Sequence, residues 1–127
     1  MNVTIYHNPS CSTSRKVLDF LRDAGIEPKI ILYLKEPPSK TELRALVDQM
    51  KITPRELLRQ RETLYGELGL ADTGLSDAAL IDAMAEHPIL IERPIVVSAQ
   101  GAILCRPAER VYEVIKQAYA KPPAQKA

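Results

Sequence analysis

The fold turns on Val3-Thr4-Ile5-Tyr6-His7-Asn8-Pro9-Ser10-Cys11-Ser12-Thr13-Ser14-Arg15. Val3 to Tyr6 is short, β-branched and apolar, and reads as a buried strand. From Thr13 to Ala24 the pattern turns helical. Val17, Leu18, Leu21 and Ala24 fall at i, i+1, i+4 and i+7 and give one apolar face. Gly25 is a good residue to stop that helix. Lys29-Ile30-Ile31-Leu32-Tyr33-Leu34 reads as a second strand. Strand, helix and strand with short links predict a parallel βαβ unit with a right-handed crossover.

Beyond it, Pro37-Pro38 breaks the chain. Ser39 and Glu42 form a capping box that opens a helix carrying Leu43, Leu46, Val47 and Met50. Thr53-Pro54-Arg55-Glu56 repeats the device and predicts a short helix through Leu57, Leu58 and Arg59. Leu64 to Leu68 reads as a further helical turn. Ser76 caps a helix with Leu80, Ile81 and Met84 inward, ending before Pro88. Ile95-Val96-Val97 is a third strand, Gln100-Gly101 a turn, and Ala102-Ile103-Leu104 an antiparallel partner. Pro107 suits the first turn of a last helix, with Val111, Val114, Ile115 and Ala118 on one face. The order is β-α-β, a helical middle, then β-β-α. That is an α/β, thioredoxin-like arrangement: a four-stranded mixed sheet, helices on both faces, and a helical insertion between the two halves. We expect one domain over residues 1–120 and a polar, flexible tail over 121–127.

The chain has 127 residues, 46% of them hydrophobic, enough for a real core. Its 17 basic and 16 acidic residues leave a net charge of +1. That balance argues against bulk binding to nucleic acid or to an anionic membrane. No apolar run reaches the ~20 residues of a membrane helix. The start of the chain lacks a charged segment followed by a long apolar one, so no signal peptide is expected. Cys11 and Cys105 form neither a CxxC nor a disulfide scaffold, which fits a reducing, cytoplasmic compartment. Nothing in the pattern points to an oligomer, and a monomer is expected.

Cys11 stands at the predicted helix start, among Ser10, Ser12, Thr13 and Ser14. A sulfur there faces unpaired backbone N–H groups and the positive end of the helix dipole, which favour thiolate over thiol. The same N–H groups can cradle a tetrahedral oxyanion. Arg15 lies near the same helix end. His7, at the strand end, is placed to assist thiolate formation. Arg59 ends the short capped helix, Arg93 precedes Pro94, and Arg106 precedes Pro107; arginine's planar fork suits oxyanions. Sequence spacing leaves open whether these arginines converge. Cys105, beside a strand end, reads as a packed, unreactive thiol, with a resolving role as the alternative. His87 has no ligand partner at metal spacing, and there is no dinucleotide or phosphate-loop motif.

These residues resemble the glutaredoxin-dependent arsenate reductases over nearly the whole chain. The resemblance rests on Ile5 to Cys11 with Thr13-Ser14-Arg15, on Ile31 to Leu34, and on His87-Pro88-Ile89-Leu90. It rests also on Arg93-Pro94-Ile95-Val96-Val97 and Leu104-Cys105-Arg106-Pro107. It implies Cys11 as nucleophile, assisted by His7, and arsenate held by the Ser12, Thr13, Ser14 and Arg15 turn together with Arg59, Arg93 and Arg106. It implies a cis peptide at Pro94. It further implies that no cofactor or metal is bound, with glutathione as the co-substrate and glutaredoxin as the partner. Ser12 stands where many members have glycine. Leu64 to Asp72 is shared with close relatives of other or unproven activity.

Two other classes are weighed against this reading. Tyrosine phosphatases need a CxxxxxR loop and an acid, and Cys11 to Arg15 is too short. Thioredoxin-fold regulators of RNA polymerase carry a CxxC switch, and Ser14 occupies the position of its second cysteine. A related thiol protein with another substrate or a regulatory role is the alternative reading.

Overall fold

The computed structural model describes residues 2–115. Its elements are β1 (Thr4–His7), α1 (Ser12–Asp23), β2 (Lys29–Leu32), α2 (Lys40–Met50), α3 (Pro54–Leu57), α4 (Thr63–Glu67), α5 (Asp77–Glu86), β3 (Ile95–Ser98) and β4 (Gly101–Leu104). Short 3-10 helices cover Pro88–Leu90 and Ala108–Val114. The described residues divide into two compact units, residues 2–33 with 93–115, and residues 34–92.

The first unit is the sheet, ordered β2-β1-β3-β4. β1 runs parallel to β2, with Ile5 opposite Ile30, and antiparallel to β3, with Ile5 opposite Val96. β3 and β4 form a hairpin in which Ser98 pairs with Gly101. The turn is therefore Ala99-Gln100, one residue earlier than the sequence suggested. Gly101 opens β4 at φ 135°, a backbone that side chains rarely adopt. One apolar cluster joins Ile5, Val96 and Ile103 of the sheet to Val17, Leu18 and Leu21 of α1 and to Ala108, Val111 and Val114. Each fully buried side chain of this size contributes about 1.5–3 kcal/mol. Helix α1 ends as Gly25 implied: Gly25 takes φ 77°, its N–H bonds Arg22 O at 2.9 Å, and Ile26 N–H bonds Leu21 O at 2.9 Å.

Two expectations change here. β2 stops at Leu32, so Tyr33 and Leu34 lie outside the strand. The last helix is 3-10, because its buried residues Ala108, Val111 and Val114 repeat every three positions and a three-residue turn lines them up. Ala118 and the tail at 121–127 lie outside the described residues.

The second unit follows its caps. Ser39 Oγ accepts from Glu42 N–H at 3.1 Å while the Glu42 carboxylate accepts from Ser39 N–H at 3.0 Å. Thr53 and Glu56 form the same reciprocal pair, with Pro54 in the first turn. Ser76 caps α5 alone. Leu43, Leu46, Leu80, Ile81 and Met84 are buried. Arg55 ties down α4 and the segment after it, donating to Tyr65 Oη at 3.1 Å, Leu70 O at 2.8 Å and Asp72 O at 2.9 Å. The short helix α3 stops at Leu57, so Leu58 and Arg59 are not helical. Leu58 is extended and bridges Ile91, and Arg59 N–H bonds Leu90 O at 2.7 Å. The pairing partner near Ile91 is distant in sequence, which is why a local reading extended the helix.

Candidate active site

The predicted cysteine turn is built from both sides by hydrogen bonds. Asn8 Oδ1 accepts from Ser10 N–H at 3.0 Å, an Asx turn that bends the chain after β1. Cys11 N–H then bonds Asn8 O at 3.0 Å, and Arg15 N–H bonds Cys11 O at 3.0 Å as the first bond of α1. Cys11 is thus the N-cap residue, extended at φ −95° and ψ 122°.

Ser14 locks the turn to the strand. It is fully buried, its Oγ accepts from Asn8 N–H at 3.1 Å, and it lies 2.6 Å from His7 Nδ1. A hydroxyl with one proton and two acceptor sites serves both contacts. His7 is buried, and burial, followed by the positive fields of Arg22 and Arg15, lowers its pKa from 6.5. The ring is therefore neutral near pH 7. Its hydrogen bond runs to Ser14, so any help it gives the sulfur passes through that residue.

The Cys11 thiol is half-buried. Burial pushes its pKa up. The N–H groups of Ser14 and Thr13 and the Arg93 guanidinium push it down by more, leaving it below the ordinary 9.0. The sulfur makes no cap hydrogen bond of standard geometry, so this stabilisation is that of a soft anion facing dipoles and a charge.

Arg93 is the residue that makes this more than a helix end. It is only 9% exposed, and its Nε and Nη1 have no hydrogen-bond partner. A buried guanidinium with idle donors beside a sulfur calls for an anion. Arg106 donates from Nη1 to Arg93 O at 3.1 Å, bracing the segment that carries Arg93. The Arg93-Pro94 peptide is cis, as the resemblance implied, and so is Arg106-Pro107. Arg15 donates from Nη1 to Pro9 O at 2.8 Å and is otherwise exposed. Ser12 is exposed and Thr13 half-buried at the head of α1.

Cys105 differs in every respect. It is fully buried, Sγ sits 3.7 Å from Ile103 O, and burial pushes its pKa up to about 12. Both cysteines are free thiols. Arg59 belongs to the second unit. Its Nε donates to Glu62 at 2.8 Å and its Nη1 to Glu92 at 2.8 Å. The sequence reading missed these carboxylates, although the three-residue spacing to Glu62 was a usable sign. It also missed Asn8 and the bracing role of Ser14, for which Asn-Pro-Ser after a strand was the available signal. Among the described residues no group of three or more His, Cys, Asp or Glu could hold a metal ion. No described helix is long and apolar enough to cross a membrane.

The sequence matches the model of the ArsC family over residues 6–114. It is 52% identical over 126 residues to an arsenate reductase of Escherichia coli, covering 99% of this chain and 85% of that protein. The solved arsenate reductase from Vibrio cholerae superposes with a TM-score of 0.87 at 51% identity, covering 90% of this chain and 98% of the other. An uncharacterized protein of Escherichia coli strain K12 is 49% identical over 114 residues, covering 89% of this chain and 96% of that protein.

Proposed function

The chain belongs to the ArsC family, and from that premise we propose that it is an arsenate reductase whose nucleophile is Cys11. The observation that carries the reading is Arg93, buried with idle donors beside a cysteine whose pKa is lowered. That pair is a thiolate with a place for the anion it must attack. Two negative species repel each other, and a guanidinium between them offsets the repulsion.

In the proposed sequence the Cys11 thiolate attacks arsenic, and an arsenate oxygen leaves as water after taking up protons. The head of α1 at Ser12, Thr13 and Ser14 holds the remaining oxygens through backbone N–H groups, with Arg93 and Arg106. Arg15 stands at the mouth. A role for Arg59 in holding arsenate is carried by the family resemblance alone. His7 acts as a positioning residue, holding Ser14 so that its N–H faces the sulfur.

Glutathione then bonds to the arsenic through sulfur, displacing a second oxygen as hydroxide or water. A glutaredoxin thiolate attacks that glutathione sulfur. The mixed disulfide forms, and the electron pair of the broken S–As bond stays on arsenic, reducing As(V) to As(III). Water releases arsenite and returns Cys11. Overall, arsenate and two thiols give arsenite, one disulfide and water. One cysteine from the enzyme suffices, and the buried Cys105 is not needed. We place the reaction in the cytoplasm, where those thiols are kept reduced, with the protein as a monomer and no bound cofactor.

The test is arsenate-dependent NADPH oxidation with glutathione, glutaredoxin and glutathione reductase. Turnover that needs glutaredoxin and vanishes in Cys11→Ser is the expected result. No turnover in the wild type, with Cys11 still fast toward iodoacetamide, overturns arsenate as substrate. It would then favour a related thiol protein of other function, a reading that the likeness to the uncharacterized Escherichia coli protein keeps in play.

A further inference from the structure

We propose that Arg15 receives a carboxylate of the incoming thiol co-substrate and so selects glutathione over an uncharged thiol. The inference rests on the reading of Cys11 as the nucleophile for arsenate.

Helix α1 carries three cations, and two of them are neutralised. Lys16 Nζ lies 3.7 Å from the Glu109 carboxylate, and Arg22 bonds both oxygens of Glu27 at 3.1 Å. Arg15 has no carboxylate partner among the described residues. Among the described residues its side chain bonds through Nη1 to the Pro9 carbonyl at 2.8 Å. That bond uses one of five guanidinium donors and does not cancel the charge. It also anchors the head group over the loop that presents Cys11, where a free arginine would sweep through solvent. An oriented, exposed, unneutralised cation at the mouth of a nucleophile's site is a recognition element.

Depth separates its role from that of Arg93. Arg93 is buried beside the sulfur, within reach of a compact anion bonded there. Arg15 is exposed, where a longer ligand still touches solvent. Glutathione has this shape: its thiol lies mid-chain and each end carries a carboxylate. With the sulfur directed at arsenic, a terminal carboxylate is left outside. The stretches 2–18 and 93–108 contain no aspartate or glutamate; of the acids just beyond them, Glu109 is paired with Lys16, and Asp19 makes no ion pair with Arg15.

The test compares thiol–disulfide exchange of Cys11 with glutathione disulfide and with the uncharged bis(2-hydroxyethyl) disulfide, both of which bring a sulfur to the thiolate, while only the first carries carboxylates several bonds away. Taking the ratio of the two rates cancels any change in the cysteine pKa. In Arg15→Gln the ratio of glutathione disulfide to hydroxyethyl disulfide falls about threefold, as expected for loss of one solvent-exposed charge pair, and Arg15→Lys restores most of it. The KM for glutathione rises by a similar factor in the coupled assay. An unchanged ratio overturns the role of Arg15, and so does equal slowing with both reagents, the signature of a loosened loop. If the wild type turns over no arsenate while the ratio still falls in Arg15→Gln, the arsenate reading fails and the carboxylate site stands.

Discussion

Cys11 and Cys105 lie in the same unit of the molecule and are chemically opposite. Cys11 caps a helix, is half-exposed, and meets two backbone N–H groups and an arginine. Cys105 lies just past β4, is fully buried, and faces a carbonyl, with its pKa pushed up to about 12. Burial acts on both and raises both. At Cys11 it is outweighed by donors and positive charge; at Cys105 nothing of that size opposes it. A cysteine's reactivity is thus set by the dipoles and charges that survive burial.

The strongest way to break the contrast is to remove one sulfur at a time. Cys11→Ser abolishes arsenate reduction in the coupled assay, whereas Cys105→Ala keeps it. If Cys105→Ala also abolishes turnover in a folded protein, Cys105 is a redox partner and the contrast collapses. Next in size is Arg93→Ala. It raises the KM for arsenate about tenfold, as expected for losing charge-assisted hydrogen bonds. It also moves the pH midpoint of Cys11 alkylation upward, because a cation that stabilised the thiolate is gone. An unmoved midpoint would mean that the helix end alone sets the thiolate.

Ser14→Ala sharpens the comparison from the backbone side. It leaves Asn8 N–H and His7 without their buried partner and costs about 1–3 kcal/mol, read from the denaturant midpoint. Alkylation of Cys11 slows in the same variant, whereas a purely structural serine would leave that rate unchanged. His7 adds a pH dependence. Its folded pKa lies below the ordinary 6.5, so the unfolded chain takes up the proton first. Its contribution to stability is complete above that pH and declines as pH falls through 6.5, and His7→Gln flattens the decline. The smallest effect is on stability in Cys105→Ala, about 1 kcal/mol for one lost buried atom.

Much of this was legible in the chain. Caps announce themselves locally, so Ser39, Thr53 and Ser76 marked their helices correctly. So did the strand-loop-helix run that carries Cys11, and Gly25 at the end of α1. The end of α3 was not legible, because Leu58 leaves the helix to pair with Ile91, some thirty residues away. The 3-10 helix was half legible: the three-residue repeat of Ala108, Val111 and Val114 was present, but four-residue spacings nearby masked it.

For the site itself, residue types and order singled out Cys11 as a candidate nucleophile, and the family resemblance added the arginines as candidate anion ligands. Backbone N–H groups at a helix end are a consequence of chain order, and a thiolate at that end follows from it. Tertiary structure alone decided the rest. It brought Arg93 to Cys11 across more than eighty residues of sequence, left its donors idle, and enclosed Cys105. It also turned His7 toward Ser14 and gave Arg59 two carboxylates in its own unit. These facts depend on desolvation and on charges brought near by folding, and neither is encoded in spacing along the chain.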